Sequence, residues 1–232
     1  MIVEPSSSSE RRSFLTRFHT GAAALAALAL GRTAQAQTKT AAPARWEPTR
    51  HEKDDWLDQL PGKHRLLIDT TTAEGVGKAL LWGSNFVRTN RTEYGLLDSD
   101  VALIIVVRHR SVTFGYSDAI WAKYGEAISK QIGFEDPKTH AAPKTNIYNA
   151  PDSGEGGGRG TFESLAKMGV QIAVCATATR GMSGSLARAT GGEADAINTE
   201  LSSNLVKNGR MVAAGVVVVS RAQERGYTLV TA

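Results

Sequence analysis

The sequence predicts an α/β protein, a three-layer sandwich in which helices cover both faces of a five-stranded, mainly parallel sheet. Two observations lead to this prediction. Strand patterns and helix patterns alternate along most of the chain. The predicted strands are unbroken apolar runs, which are typical of strands buried on both faces. Together these features favour parallel strands joined by helices that pack on the sheet.

The elements are assigned from apolar runs and apolar spacing. The predicted strands cover residues 65–69, 101–107, 169–175, 212–219 and 227–230. The predicted helices cover residues 74–88, 117–132 and 193–207. The first helix repeats apolar or small residues at spacings of three and four, which is the mark of an amphipathic helix. The run Val212–Val219 is taken as a fourth buried strand because it is rich in β-branched valine.

The N-terminus has the features of an export signal. Arg11-Arg12 precedes Ser-Phe-Leu, the short apolar run Gly21–Leu30 follows, and Ala34-Gln35-Ala36 matches a cleavage site. The arginine pair favours a twin-arginine signal over residues 1–36, cleaved after Ala36. We therefore expect a periplasmic protein that meets the twin-arginine translocase during export. The apolar run is too short to span a bilayer, so no membrane span is expected in the mature form.

Three regions are expected after the signal. Residues 37–62 are interpreted as a flexible leader with a short docking segment, whose apolar residues are Trp56, Leu57 and Leu60. Residues 63–232 form the α/β domain. Within it, residues 133–160 make a long irregular loop rich in Pro, Asn and Gly. Loops of this length serve as lids, binding arms or disordered segments, and the sequence leaves all three open.

Charge and motifs exclude several classes of protein. The formal net charge is +4, and the first 36 residues hold four Arg and two Glu, so half of it lies in the signal. No basic stripe with interleaved aromatics is present, so nucleic acid is not an expected partner. The glycines at 75 and 77 do not make a P-loop, and residues 154–160 are interpreted as a linker. No cofactor is expected.

The single cysteine excludes an intrachain disulfide and any zinc site with two cysteines. His64, His109 and His140 show no metal-ligand spacing, so no metal site is expected unless all three histidines converge.

Cys175 is the main candidate for chemistry. It ends a predicted strand and a helix follows, which places it at the edge of a parallel sheet where ligands bind. The free N–H groups of a helix N-terminus stabilise a thiolate, and Arg180 could add to this effect. His109 follows the strand 101–107 and faces the same crevice if the two strands are neighbours. The competing interpretation is a buried, inert cysteine.

Basic residues at the same edge are a candidate anion site. Arg108, His109 and Arg110 follow one strand directly and could bind an anion such as a sulfur oxyanion. The alternative is a strand end with solvated charges. Arg108, Thr177 and Gly181 are the residues expected to contribute to ligand binding.

Two segments resemble a known family. Residues 170–181, Val-Gln-Ile-Ala-Val-Cys-Ala-Thr-Ala-Thr-Arg-Gly, resemble the active-site segment of the DsrE/DsrF family, which includes the TusD-like sulfur-transfer proteins. The C-terminal segment from Ala214 through Gln223-Glu224-Arg225-Gly226-Tyr227 is similar to that family's last strand and to the Q-x-x-G-Y motif at its end. The resemblance covers roughly residues 64–230, with the loop 133–160 as a longer insert.

The resemblance implies a fold, an assembly and a chemistry. The fold would be a five-stranded parallel sheet, and the assembly a homo-oligomer, a trimer or a hexamer. Cys175 would accept a sulfane sulfur as a persulfide in the periplasm and pass it to a thiol or a sulfur-carrier protein. Arg180 and His109 would assist Cys175 in this sulfur metabolism.

The sequence leaves open whether the protein is an enzyme of the sulfurtransferase type. One alternative is a non-enzymatic oligomeric module that binds a small ligand, or a metal through His109 and Cys175. Another is a structural subunit whose cysteine is part of the core.

Overall fold

Within residues 47–149 and 160–232, which the computed structural model describes, five strands form one sheet and all neighbouring strands are parallel. The strands are β1 (His64–Thr70), β2 (Val101–Val107), β3 (Gln171–Cys175), β4 (Gly209–Val212) and β5 (Thr228–Thr231). Their order across the sheet is β4-β3-β2-β1-β5. The fold class predicted from the sequence is confirmed, and every strand pair is parallel rather than most of them.

Helices cover both faces of this sheet. The helices are α1 (Trp56–Gln59), α2 (Ala73–Tyr94), α3 (Asp118–Ile132), α4 (Phe162–Lys167), α5 (Ala176–Thr190), α6 (Ala194–Ser203) and α7 (Gly215–Gln223). Three short 3-10 helices cover Glu52–Asp54, Asp98–Asp100 and His109–Gly115. Helices α2 to α6 contribute to one apolar core, and α1 and α7 contribute to a second. The sheet separates the two cores, which gives three layers.

The alternation of side chains along each strand supplies both cores. Ile68 and Ile105 belong to the larger core, whereas Leu67 and Ile104, their neighbours in the chain, belong to the smaller one. All four side chains are fully buried. Successive side chains of a strand point to opposite faces, so a strand covered on both faces buries a polar side chain only where that side chain has a partner. This is why the strand 101–107 is apolar throughout and was predicted with correct bounds.

Helix α2 contains the predicted helix 74–88 and extends it at the C-terminal end. Thr72 caps its start, where the hydroxyl oxygen accepts a hydrogen bond of 3.0 Å from the Gly75 N–H. Val76 and Leu80, two of the apolar positions in the predicted pattern, are buried. The helix ends at Gly95, whose φ of 66° is readily adopted by glycine.

The prediction of a strand over 212–219 is wrong. Strand β4 ends at Val212, and helix α7 begins at Gly215. Strands β4 and β5 lie at opposite edges of the sheet, so the chain between them must cross one face of it. A helix covers that face by burying Val218 and Ala222, four residues apart, and leaves Val216 exposed. Tertiary packing therefore overrides the strand preference of the valine run.

Other elements differ from prediction mainly at their ends. Helix α3 agrees with the prediction 117–132, although the Ser117 side chain makes no capping hydrogen bond. Helix α6 ends at Ser203, four residues earlier than predicted. Helix α4 was not predicted. In the long loop, Asn146 is buried and its amide donates to the carbonyl oxygens of Phe114 and Tyr116, so this part of the loop packs on the domain.

The segment before β1 also packs on the domain. Trp56 and Leu57 are buried against the face that α7 covers. The Leu57 carbonyl oxygen accepts hydrogen bonds from the Arg65 guanidinium, at 3.1 Å, and from the Tyr227 hydroxyl, at 2.9 Å. The predicted docking segment is therefore part of the smaller core.

Several sequence predictions fall on residues 1–46 and 150–159, which lie outside the described residues. They are the export signal, residues 37–46 of the leader and residues 154–159 of the glycine-rich linker. Among the helices that the structure does describe, none is long and apolar enough to cross a membrane.

Candidate functional site

Cys175 occupies the junction between strand β3 and helix α5 with no loop between them. It is the last residue of the strand and the N-cap of the 15-residue helix. Its Sγ accepts a hydrogen bond of 3.4 Å from the Ala178 N–H. This N–H is one of the donors that a helix N-terminus leaves without a backbone partner. The sulfur therefore sits where a helix favours negative charge.

A cavity of about 600 Å³ opens at this junction. It lies at the carboxyl edge of the sheet, where ligands of parallel α/β proteins bind. Its lining residues come from the ends of β2 and β3, from α3 and α5, and from the start of α7; they are Arg108, His109, Arg110, Gln131, Ile132, Cys175, Thr177, Ala178, Gly181, Met182, Ser185, Ala214, Gly215 and Val216. Two arginines and a histidine are among them, and none of these lining residues is acidic. Cys175 is 6% exposed, so the cavity wall leaves a small part of it open.

Arg108 is held in place by a buried carboxylate. Its Nε and Nη2 donate hydrogen bonds of 2.9 Å and 2.7 Å to the two carboxylate oxygens of Asp69. The Asp69 side chain is 6% exposed and the Arg108 side chain 31%. Such a two-point pair sets the plane of the guanidinium as well as its distance. Its Nη1 takes no part in this pair, so donors remain on the guanidinium while Asp69 anchors its other side.

The charges of the site act on one another. The pKa of Arg108 is raised, first by its hydrogen bonds to Asp69 and further by the negative charges of Asp69 and the Cys175 thiolate, although burial opposes the rise. The pKa of Tyr116 is raised mainly by burial, and the same thiolate adds to the rise. Arg108 is thus a cation that is stabilised chiefly by the carboxylate of Asp69.

A short hydrogen-bond chain supports the backbone of Cys175. The Tyr116 hydroxyl donates to Thr179 Oγ1 at 3.0 Å, and that hydroxyl donates to the Cys175 carbonyl oxygen at 3.0 Å. Tyr116 and Thr179 are both fully buried. A buried hydroxyl that loses its hydrogen-bond partner lowers the stability of the fold. These two hydrogen bonds therefore hold the first turn of α5 against the 3-10 helix that follows β2.

Helix α7 begins at the opposite wall of the cavity. Its N-cap residue, Ala214, makes no side-chain capping bond. Gly215 packs directly on Arg108, since a Cβ at this position would stand 2.8 Å from the Cβ of Arg108 and 3.0 Å from its Cδ. The absence of a side chain at Gly215 is what allows the helix start and the arginine to share this wall.

The structure brings most of the predicted site residues together. Strands β2 and β3 are neighbours, and His109 and Cys175 line one cavity, as the sequence predicted for neighbouring strands. Thr177 and Gly181 line it too, and the Thr177 hydroxyl donates to the Ala213 carbonyl oxygen at 3.1 Å. His109 has a φ of 56°, a conformation that is uncommon for residues other than glycine.

Arg180 is the exception among the predicted residues. Its side chain does not line the cavity, and its Nη2 donates to Thr177 Oγ1 at 3.3 Å on the exposed side of α5. Arg108 lines the cavity together with Cys175, whose negative charge is among the causes that raise the pKa of Arg108. The role suggested for Arg180 stays a prediction, and Arg108, which directly follows strand β2, is an arginine at the cavity wall.

The histidines do not converge. His64 begins β1 and His109 follows the end of β2. Because these strands are parallel neighbours, His64 lies at the amino ends of the strands and His109 at their carboxyl ends. Across residues 47–149 and 160–232, no group of three or more His, Cys, Asp or Glu side chains could hold a metal ion.

Comparisons with known proteins assign no family. No family model matches the chain, and no curated protein matches it. Among solved structures, it is similar to a protein of unknown function from Methanobacterium thermoautotrophicum, with 14% identity, a TM-score of 0.37, and coverage of 73% of this chain and 100% of the other. A similarity of this size carries no functional argument.

Sequence reasoning missed three parts of the site. Asp69 was assigned only as the end of a strand, although an acidic residue in a run buried on both faces is a signal that a buried partner exists. Tyr116 gave no signal. Gly215 was hidden by the strand assigned to 212–219, and only the start of a helix there would have revealed it.

Proposed function

We propose that the protein is a DsrE-like carrier of sulfane sulfur that binds it as a persulfide on Cys175. The observation that carries the proposal is the position of the Sγ of Cys175. It caps helix α5 and also lines a cavity whose charged residues are all basic. A thiolate is the nucleophile in sulfur exchange, and both features place N–H donors or basic side chains around this sulfur.

The chemistry needs no bound cofactor. The Cys175 thiolate attacks the outer sulfur of a donor, the bond from that sulfur to the donor breaks, and the donor leaves with the electron pair. The persulfide can then give its outer sulfur to an acceptor thiolate, which restores Cys175. The chain has one cysteine, so the acceptor is a small thiol or a thiol on another protein. The homo-oligomer implied by the family resemblance stays a prediction.

Mass spectrometry of the intact protein tests the proposal. Incubation with thiosulfate should add about 32 Da, the mass of one sulfur atom, as expected for a reactive thiolate that becomes a persulfide. Cyanide should then remove the added sulfur as thiocyanate. The matched control is Cys175→Ser, which keeps an N-cap acceptor and removes the nucleophile. This variant should gain no mass.

A negative result would favour a different function. If thiosulfate and polysulfide add no mass, and the native thiol is alkylated far more slowly than in the unfolded chain, Cys175 is a core residue. The cavity would then serve a non-enzymatic module that binds a small ligand. What favours this second candidate is the 6% exposure of Cys175 beside a cavity large enough for a small molecule.

We propose that this chemistry takes place in the periplasm, on the basis of the sequence of residues 1–36. Expression of the full chain in a bacterium with a twin-arginine pathway, followed by fractionation, tests the location. The mature chain should be recovered from the periplasm. A variant with Arg11→Lys and Arg12→Lys should remain uncleaved in the cytoplasm, and equal export of the two chains would contradict the proposal.

A further inference from the structure

Arg108 has the features of a recognition residue rather than of a solvated strand end. Its guanidinium is anchored on one side by the buried Asp69, and Arg108 is one of the residues that line the cavity. By contrast, no hydrogen bond or ion pair of the Arg110 side chain is found among the described contacts, and Arg110 is exposed. An arginine held on a rigid pair presents its donors at little cost in side-chain entropy.

We propose that Arg108, positioned by Asp69, binds the anionic group of the sulfur donor, so that the cavity takes small sulfur oxyanions of the thiosulfate class. The choice of a sulfur donor rests on the proposed function, whereas the recognition of an anion does not. The inference assigns Arg108 as a binding residue and Asp69 as a positioning residue.

The charge of the cavity supports an anionic ligand. Its charged lining residues are Arg108, His109 and Arg110, and the carboxylate of Asp69 pairs with the Nε and Nη2 side of Arg108. A thiolate at Cys175 would repel a second anion in water. Arg108 lines the same cavity as Cys175, so its positive charge reduces the repulsion as the two anions approach.

The reaction with thiosulfate balances without an added oxidant. The thiolate sulfur of Cys175 forms a bond to the outer sulfur of thiosulfate. The bond between the outer sulfur and the sulfonate sulfur breaks, and its electron pair leaves with sulfite. Cys175 retains the persulfide anion, so one thiolate and one dianion give one persulfide anion and one dianion. Arg108 would bind the sulfonate oxygens, which stay anionic throughout.

A pair of alkylating agents tests anion recognition independently of sulfur transfer. Iodoacetate and iodoacetamide both form a thioether with the Cys175 thiolate and release iodide, and they differ in charge. The ratio of their rate constants is measured in the native full chain and divided by the ratio in the urea-unfolded chain. Because Cys175 is the chain's only cysteine, no other thiol contributes. We expect the native ratio to favour iodoacetate by about tenfold, the size of one charge-assisted hydrogen bond.

Two variants with the same change of charge distinguish a specific contact of Arg108 from the overall positive charge of the cavity. Arg108→Gln should remove the preference, whereas Arg110→Gln should keep most of it. Because Arg108→Gln leaves Asp69 buried without its partner, the double variant Asp69→Asn with Arg108→Gln is made as well; it removes both charges and leaves none unpaired. Equal losses in Arg108→Gln and Arg110→Gln would overturn the proposal.

The Asp69→Asn variant tests positioning through the sign of its effect. Removal of the carboxylate makes the cavity more positive, so a purely electrostatic role predicts a stronger preference for iodoacetate. Loss of the anchor predicts a weaker preference, because the guanidinium is no longer held. A weaker preference in a folded variant supports Asp69 as a positioning residue, and a stronger one overturns that assignment.

The two proposals fail in different ways. If thiosulfate loads Cys175 but the native chain shows no preference for iodoacetate, the carrier function stands and anion recognition is wrong. If the preference is present and depends on Arg108, but neither thiosulfate nor polysulfide adds mass, anion recognition stands and the carrier function is wrong.

Discussion

Gly215 and Arg108 are in direct contact across the wall of the cavity. A Cβ on Gly215 would stand 2.8 Å from the Cβ of Arg108 and 3.0 Å from its Cδ, closer than unstrained packing permits. Arg108 directly follows strand β2, so relief of this contact would shift either helix α7 or the Arg108 side chain. The start of α7 and the cation of the site are therefore mutually dependent.

The first prediction concerns this contact. Gly215→Ala should lower the free energy of unfolding by about 1–3 kcal/mol, the usual effect of overpacking, and should weaken the preference of Cys175 for iodoacetate. Urea denaturation and alkylation rates measure the two effects. The control is Gly184→Ala in α5, where an added Cβ meets only Arg188 Nη1 at 3.6 Å. This variant should gain about 0.5–1 kcal/mol of stability, because alanine favours a helix over glycine. Similar behaviour of the two variants would contradict the contact.

The second prediction concerns the cap on helix α5. Cys175→Ala removes the acceptor of the Ala178 N–H and should lower the free energy of unfolding by about 1 kcal/mol, the usual loss for a missing N-cap. Cys175→Ser supplies a hydroxyl oxygen in the same place and should be more stable than Cys175→Ala. Chemical denaturation of the three chains under reducing conditions gives the order. An alanine variant as stable as the serine variant would show that the cap contributes nothing.

The third prediction is a pH dependence at Tyr116. Burial raises the pKa of this phenol in the folded chain, so its contribution to stability is complete below the unfolded pKa, about 10, and is lost as pH rises above that value. Tyr116→Phe has no group to ionise. At pH 7 it should be less stable by about 1 kcal/mol because the hydrogen bond to Thr179 is lost.

The measurement for Tyr116 is urea denaturation of both chains from pH 7 to pH 11. The stability difference between wild type and Tyr116→Phe should shrink above pH 10, since only the wild type must keep a phenol neutral. A difference that stays constant up to pH 11 would mean that the phenol is solvated in the folded chain.

The fourth prediction concerns the segment before β1. Leu57 is fully buried, so Leu57→Ala should lower the free energy of unfolding by about 2–5 kcal/mol. The control is Leu97→Ala, because Leu97 is 69% exposed; its effect should stay within about 0.5 kcal/mol. Thermal and urea denaturation measure both variants. Equal, small effects would mean that residues 56–60 are an appendage rather than part of the smaller core.

The apolar pattern of the sequence predicted strands β1, β2, β3 and β5 and helices α2, α3 and α6, but it misplaced the fourth strand. Strand β2 was predicted with its observed bounds because an unbroken β-branched run has one favourable environment, the middle of a covered sheet. The place of Cys175 followed from the same logic. A residue at the carboxyl end of such a strand, next to a helix start, lies at the ligand-binding edge in any parallel α/β arrangement.

Only the tertiary structure decided what surrounds that cysteine. The local sequence pattern does not determine which strands are neighbours in a sheet. The sequence could therefore predict a cavity shared by His109 and Cys175 only if β2 and β3 were adjacent, and the structure shows that they are. The pairing of Asp69 with Arg108 joins residues 39 positions apart, and α7 forms where strand preference is strong. Local sequence sets the preferences of each segment, but the need to cover an exposed sheet face and to pair a buried charge acts between distant segments and determines the outcome.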